Sequence, residues 1–255
     1  MPAREFTEHL GQRIARLEPH FTVLTPAREG RFPVVLMMHG CGGARPFQLE
    51  IADVAVRAGA AAVIIDSYAP RRIGQLAAFT TVCTGARLQG PERAGDLYAA
   101  MAWTRSQPWA DRDRIAAVGW SHGAWTILDA LSLRAGAEME RRTGLQGLAE
   151  EPLEGLAGAL AVYPYTGFGS YVGRRAWRMT PKNAAAIFVQ HDFIVGETRT
   201  ALEKQRAHGS AFDIHYFEGV THAFEDAQAA DVRVRFNADA TAREHDMLRA
   251  MIAGL

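Results

Sequence analysis

The chain has 255 residues, 48% of them hydrophobic and 22% charged, and its 28 Lys and Arg are balanced by 28 Asp and Glu. This length and composition suit one globular α/β domain with a full core, and the neutral balance argues against a nucleic-acid or membrane-surface partner. The first residues carry Arg4, Glu5, Glu8, Arg13 and Arg16 with no apolar core of signal-peptide length, and the longest apolar stretch, Ala58 to Ile65, is too short to cross a bilayer. A cytoplasmic protein without membrane contact is the expectation.

Phe6, Leu10, Ile14 and Leu17 fall on one face among charged residues, which predicts an amphipathic N-terminal helix within residues 1–20. Apolar runs and helical stretches then alternate. Strands are expected at Phe21–Leu24, Val34–Met38, Ala61–Ile65, Ile115–Val118, Leu156–Tyr163, Ala185–Val189 and Phe212–Tyr216. Helices are expected near Gln48–Ala58, Pro91–Ser106, Ala124–Arg134, Glu197–Ala207 and Asp239–Ile252. Most of the strands are apolar throughout, as strands covered on both faces are. The alternation predicts a mostly parallel sheet with helices on both sides, in a single domain spanning 1–255. Two connections, Asp66–Gly90 and Pro164–Asn183, are longer than a crossing needs and follow strand ends, where open parallel sheets place their ligands.

Gly119-Trp120-Ser121-His122-Gly123 stands between a predicted strand and a predicted helix. A G-x-S-x-G in that setting is a nucleophile elbow, a strained turn that lifts the serine hydroxyl above the sheet. Serine needs a base to take its proton and a carboxylate to orient that base, in the chain order Ser, acid, His. Asp192 lies two residues beyond Ala185–Gln190, a strand later in the chain than the elbow's, at its carboxyl edge, and residues 164–181 hold no competing Asp or Glu. Of the nine histidines, His9 and His20 precede the sheet, while His208, His215 and His245 lie in or at the end of regular elements. His191 would point opposite to Asp192, and the His122 ring should turn away from Ser121. Besides His39, which opens the glycine loop after Val34–Met38, His222 remains, in a loop after the last strand, as general base and then acid. His39-Gly40-Cys41-Gly42-Gly43 ends the second strand, and its glycines let backbone N–H groups turn inward. The expected oxyanion donors are the amides of Cys41, with Gly42 as second choice, and His122.

At these residues the chain resembles the dienelactone hydrolase family of α/β-hydrolases. The resemblance runs through His39–Gly43, Asp66-Ser67-Tyr68-Ala69-Pro70-Arg71, Arg114–Gly123, His191-Asp192 and Gly219–Phe224. It implies a compact lidless hydrolase with Ser121, Asp192 and His222 as triad. The best-known members use cysteine as nucleophile, so Ser121 favours a general carboxylic ester or lactone hydrolase over one dedicated to dienelactone. Neither Cys41 nor Cys83 sits on an elbow, and neither has the C-x-x-C spacing of a zinc site. A pair between their two loops is conceivable, but a cytoplasmic chain keeps thiols reduced, so both are expected as free thiols.

Tyr68, Arg71, Arg72, Trp120, Phe168 and Trp177 are candidates to line the substrate site, with Arg174, Arg175 and Arg178 as further loop cations for a substrate carboxylate. The chemistry requires no cofactor and no metal. Acyl transfer or peptide cleavage would use the same residues, and a binding or regulatory protein that has kept the fold without turnover is the alternative from another class. The partner expected is a small-molecule ester or lactone; the sequence carries no signature of oligomeric state.

Overall fold

The structure, a computed structural model, describes residues 6–255. Arg4 and Glu5 lie outside the described residues. The strands are β1 (Glu8–His9), β2 (Phe21–Leu24), β3 (Phe32–Met38), β4 (Ala61–Ile65), β5 (Ala110–Trp120), β6 (Leu145–Gln146), β7 (Leu156–Val162), β8 (Asn183–His191) and β9 (Asp213–Thr221). The α-helices are α1 (Leu10–Leu17), α2 (Pro46–Arg57), α3 (Gln75–Ala77), α4 (Gly90–Ser106), α5 (His122–Ser132), α6 (Ala137–Thr143), α7 (Arg199–Ala207) and α8 (Ala238–Ala253).

Seven strands form one sheet in the order β2-β4-β3-β5-β7-β8-β9. β2 runs antiparallel to β4, and every other pairing is parallel. Alternation along the strands divides the core into two layers. Val34, Leu36 and Met38 of β3 pack with α4 and α5 on one face, whereas Val35 and Met37 pack with α2 and α8 on the other. All of β3 and β4 is buried, which is why these strands read as unbroken apolar runs.

The predicted strands all occur, with ends displaced: β5 starts at Ala110 and β9 continues to Thr221. The N-terminal helix is shorter than residues 1–20, because β1 precedes α1 and pairs with β6. Phe6 lies outside the helix, its ring centroid 3.4 Å from the Arg16 guanidinium carbon, a cation–π contact. Residues 66–90 are more ordered than a loop, with a 3-10 turn (Ala69–Arg71), α3 and a π-helical turn (Ala78–Val82).

A buried ion network ties the N-terminal helix to this segment. Asp96 of α4 accepts from Arg13 of α1 (2.8 Å) and from both terminal nitrogens of Arg71 (2.7 and 2.9 Å). All three side chains are shielded from solvent. Although burial alone would raise the Asp96 carboxyl, Arg71 and then Arg13 hold it well below the usual carboxylate range.

Candidate active site

Ser121 links β5 to α5 with φ +52° and ψ −110°, a region that side-chain-bearing residues rarely adopt. The flanking glycines permit it. A Cβ at Gly123 would overlap the Met38 carbonyl, and one at Gly119 would meet the Gly123 backbone, so neighbouring strand and helix press on the turn from both sides. Ser121 is held by its own backbone, donating N–H to the Val162 carbonyl (2.9 Å) and accepting from Trp125 N–H (2.9 Å). Its hydroxyl makes no hydrogen bond among the described residues.

Asp192 stands just past β8. One carboxylate oxygen accepts from the backbone N–H of Ile194 (3.1 Å) and Val195 (2.9 Å), and the other meets His222 Nδ1 at 2.8 Å. Both side chains are almost fully buried. His222 lies just past β9, its ring 4.3 Å from the Tyr163 ring at the end of β7. With Nδ1 engaged, Nε2 is the nitrogen left for a reacting proton. Ser121, Asp192 and His222 thus all leave the carboxyl ends of sheet strands. The Asp192–His222 pair is formed, while Ser121 and His222 are not hydrogen-bonded to each other; such bonds are often long before substrate arrives.

The His122 amide is the first of α5, where N–H groups lack partners inside the helix. The Cys41 amide also makes no hydrogen bond among the described residues. The His122 ring turns inward, its Nε2–H donating to the Leu88 carbonyl (2.8 Å) while Nδ1 accepts from Arg93 (3.1 Å). Arg93, which sequence reasoning missed, is fully buried and also donates to the His39 carbonyl (2.7 Å) and the Ser67 hydroxyl (2.9 Å). It therefore joins the start of the glycine loop, the turn after β4 and the first residue of α5. Burial, then Arg93, pushes His122 down to about 3 and His39 well below its ordinary value, so both rings stay neutral.

The proposed substrate-lining residues fare differently. Tyr68 donates to the Cys41 carbonyl (2.9 Å) beside the glycine loop, and Phe168 is exposed on the connection after β7. Arg72 is exposed in a left-handed conformation. Arg71 is corrected: its guanidinium is buried against Asp96. Trp120 is corrected too, because its position on β5 points it to the α2/α8 face, where Nε1–H donates to Glu244 (2.8 Å). Trp177 packs on Phe212 (4.8 Å) and, with Arg175 and Arg178, lines a cavity of about 250 Å³ beyond the end of α5, away from Ser121. Arg175 and Arg178 are paired there with Glu138 and Glu151, whereas Arg174 is exposed. The expectation of free thiols is overturned: Cys41 and Cys83 form a disulfide.

Behind His222 lies a buried pair of carboxyls. Glu225 accepts from the Tyr163 hydroxyl (2.7 Å) and Glu244 from Trp120 Nε1–H (2.8 Å), and neither has an ion-pair partner among the described residues. Burial and mutual repulsion hold Glu225 far above the usual carboxylate range, and burial raises Glu244. The folded state keeps a proton that the unfolded chain releases, so this contribution to stability is complete below the ordinary Glu value and is lost as pH rises toward the folded one. Urea midpoints at several pH values should show wild-type stability falling through this range by up to about 1.4 kcal/mol per pH unit per proton. Glu244→Gln should flatten the slope. Asp129, which accepts from Trp125, Ser170 and Tyr171 and is raised by burial to about 7, adds a slope that this variant leaves in place.

The fold as a whole recurs in solved proteins. A candidate dienelactone hydrolase from Klebsiella pneumoniae superimposes with a TM-score of 0.65 at 14% identity over 92% of each chain. The chain has the α/β-hydrolase fold. A carboxylesterase from Lactobacillus plantarum shares that fold with a TM-score of 0.64 at 16% identity, over 92% of this chain and 91% of that one. The hydrolase fold is equally evident against a dienelactone hydrolase from Anabaena variabilis, with a TM-score of 0.59 at 16% identity over 92% and 90% of the two chains. No family model matches the sequence. Among curated proteins, the probable dipeptidyl-aminopeptidase B of Talaromyces stipitatus is 29% identical and that of Talaromyces marneffei 30% identical, each over 147 residues. The match covers 56% of this chain and 15% of those relatives' length. No helix among the described residues is long and apolar enough to cross a membrane.

Proposed function

We propose that this chain is a serine hydrolase of small carboxylic esters or lactones, a serine-nucleophile relative of the dienelactone hydrolases. The observation that carries the reading is the strained Ser121 turn, placed beside two unpartnered amides and at the same sheet edge as the Asp192–His222 pair. Backbone strain of this kind costs about 1–3 kcal/mol and persists where function needs it. In the proposed reaction, Ser121 Oγ attacks the carbonyl carbon while His222 Nε2 takes its proton. Asp192 stabilises the imidazolium, and the Cys41 and His122 amides bind the oxyanion. The alcohol leaves with the proton from His222. Water, deprotonated by the same ring, then releases the acid and frees Ser121.

A fluorophosphonate is the first test: it should modify Ser121, identified by mass spectrometry, and abolish turnover of short p-nitrophenyl esters or a dienelactone. A protein that neither labels nor turns over would be the binding or regulatory alternative. The aminopeptidase relatives motivate a second substrate in the same assay, a dipeptide p-nitroanilide, whose preferential cleavage would move the assignment from esterase to peptidase. The Cys41–Cys83 disulfide favours an oxidising compartment over the cytoplasm.

A further inference from the structure

The oxyanion loop is fastened at several points around one peptide. His39 Nδ1–H donates to the Gly40 carbonyl (2.7 Å), and the Cys41 carbonyl accepts from Tyr68 (2.9 Å). The Cys41 side chain is bonded to Cys83, at the end of the π-helical turn Ala78–Val82. This leaves the Cys41 N–H without a partner in a peptide whose carbonyl and side chain are both committed. The segment carrying Cys83 is weakly held otherwise. Leu76, Phe79, Thr80, Cys83 and Thr84 are exposed, and Ala78 and Val82 pack into a small cluster with Tyr68, Ile73 and Leu88, separate from the two main cores. The disulfide joins residues 42 positions apart, and exposed Cys83 leaves the bond within reach of solvent.

We infer that the Cys41–Cys83 disulfide is a positioning element of the oxyanion hole, fixing the Cys41 amide for catalysis so that full turnover requires the oxidised pair. The inference rests on the hydrolase reading above. A donor held in place before reaction stabilises the transition state without reorganisation, and a misplacement of about 1 Å can cost about 100-fold in rate. Breaking the bond leaves the triad intact while freeing this loop to move.

The test compares the oxidised protein, the protein reduced by a phosphine, and Cys83→Ser, which retains the Cys41 amide. The phosphine gives two electrons to the S–S bond, water supplies two protons to the thiols and its oxygen to the phosphine oxide, and mass spectrometry confirms two free thiols. The expected result is a kcat for p-nitrophenyl acetate lower by about 10- to 100-fold in both altered forms, with little change in KM. Fluorophosphonate labelling should slow in parallel, far-UV circular dichroism should be unchanged, and reoxidation should restore the rate. An unchanged kcat in reduced, folded protein overturns the inference and leaves the disulfide as a staple for stability alone. Loss of activity only through global unfolding overturns it equally. If the oxidised protein neither hydrolyses nor labels, the hydrolase reading fails first and takes this inference with it; an active oxidised protein indifferent to reduction refutes this inference alone.

Discussion

Ser121→Ala is expected to lower kcat for short esters by about 10⁶, to the residual rate that binding and the oxyanion donors alone supply. Alanine keeps the turn and its strain while removing the atom that attacks. Asp192→Asn should cost about 10⁴ at neutral pH, because an amide in place of the carboxylate no longer fixes the His222 tautomer or stabilises its charged form. A companion change separates chemistry from folding. Ser121→Gly should also be inactive, yet more stable by about 1–3 kcal/mol, since glycine adopts φ +52° without the penalty a side chain incurs. Steady-state kinetics and urea unfolding on the three variants check all of this. Substantial ester turnover by Ser121→Ala would remove the serine from the reaction, and a destabilised Ser121→Gly would mean that the turn is not strained.

Asp96→Ala is expected to have the largest effect on stability. It leaves the buried guanidiniums of Arg13 and Arg71 facing each other without the carboxylate that joins them. Removing one partner of a buried ion network costs about 3–5 kcal/mol, a large part of the roughly 5–15 kcal/mol that holds a domain folded. At about 2–4 °C per kcal/mol for a chain of this size, Tm should fall by about 6–20 °C. Replacing all three residues by apolar side chains of similar volume should recover much of the loss, because the desolvation cost then disappears as well. Calorimetry on the single and triple variants distinguishes a required network from one that merely fills space: a Tm within about 2 °C of wild type for Asp96→Ala would show the latter.

What could be read from the sequence follows the range of the forces involved. The central strands were legible because burial on both faces leaves unbroken apolar runs, as in Val34–Met38 and Ala61–Ile65. The elbow was legible because its glycines are required locally, by Met38 and the turn itself. Asp192 and His222 followed from their position past strand ends, and the structure brings them into contact. β1, β6 and α6 were missed, since such short elements have too little periodicity to register. Partners set by tertiary packing were equally hidden. Nothing near Arg71 announces Asp96, and nothing near Arg93 shows that it will bridge His39, Ser67 and His122. Trp120 and Trp177 stand near strand ends in sequence, yet strand alternation turns one to the far face of the sheet and chain direction carries the other beyond α5. The disulfide is hidden because the spacing of two cysteines alone does not encode the redox compartment that decides whether they pair.

The Asp96 network also gives the N-terminal helix a role that its distance from Ser121 in sequence conceals. Arg13 shares Asp96 with Arg71, which closes the 3-10 turn behind Tyr68, and Tyr68 holds the Cys41 carbonyl. A version of the protein trimmed to begin at β2 would keep the whole seven-stranded sheet and every proposed triad residue, yet lose the anchor at the start of that chain of contacts. The first helix is thus a remote brace for the glycine loop, and limited proteolysis between α1 and β2 would be felt as slower chemistry as well as weaker folding.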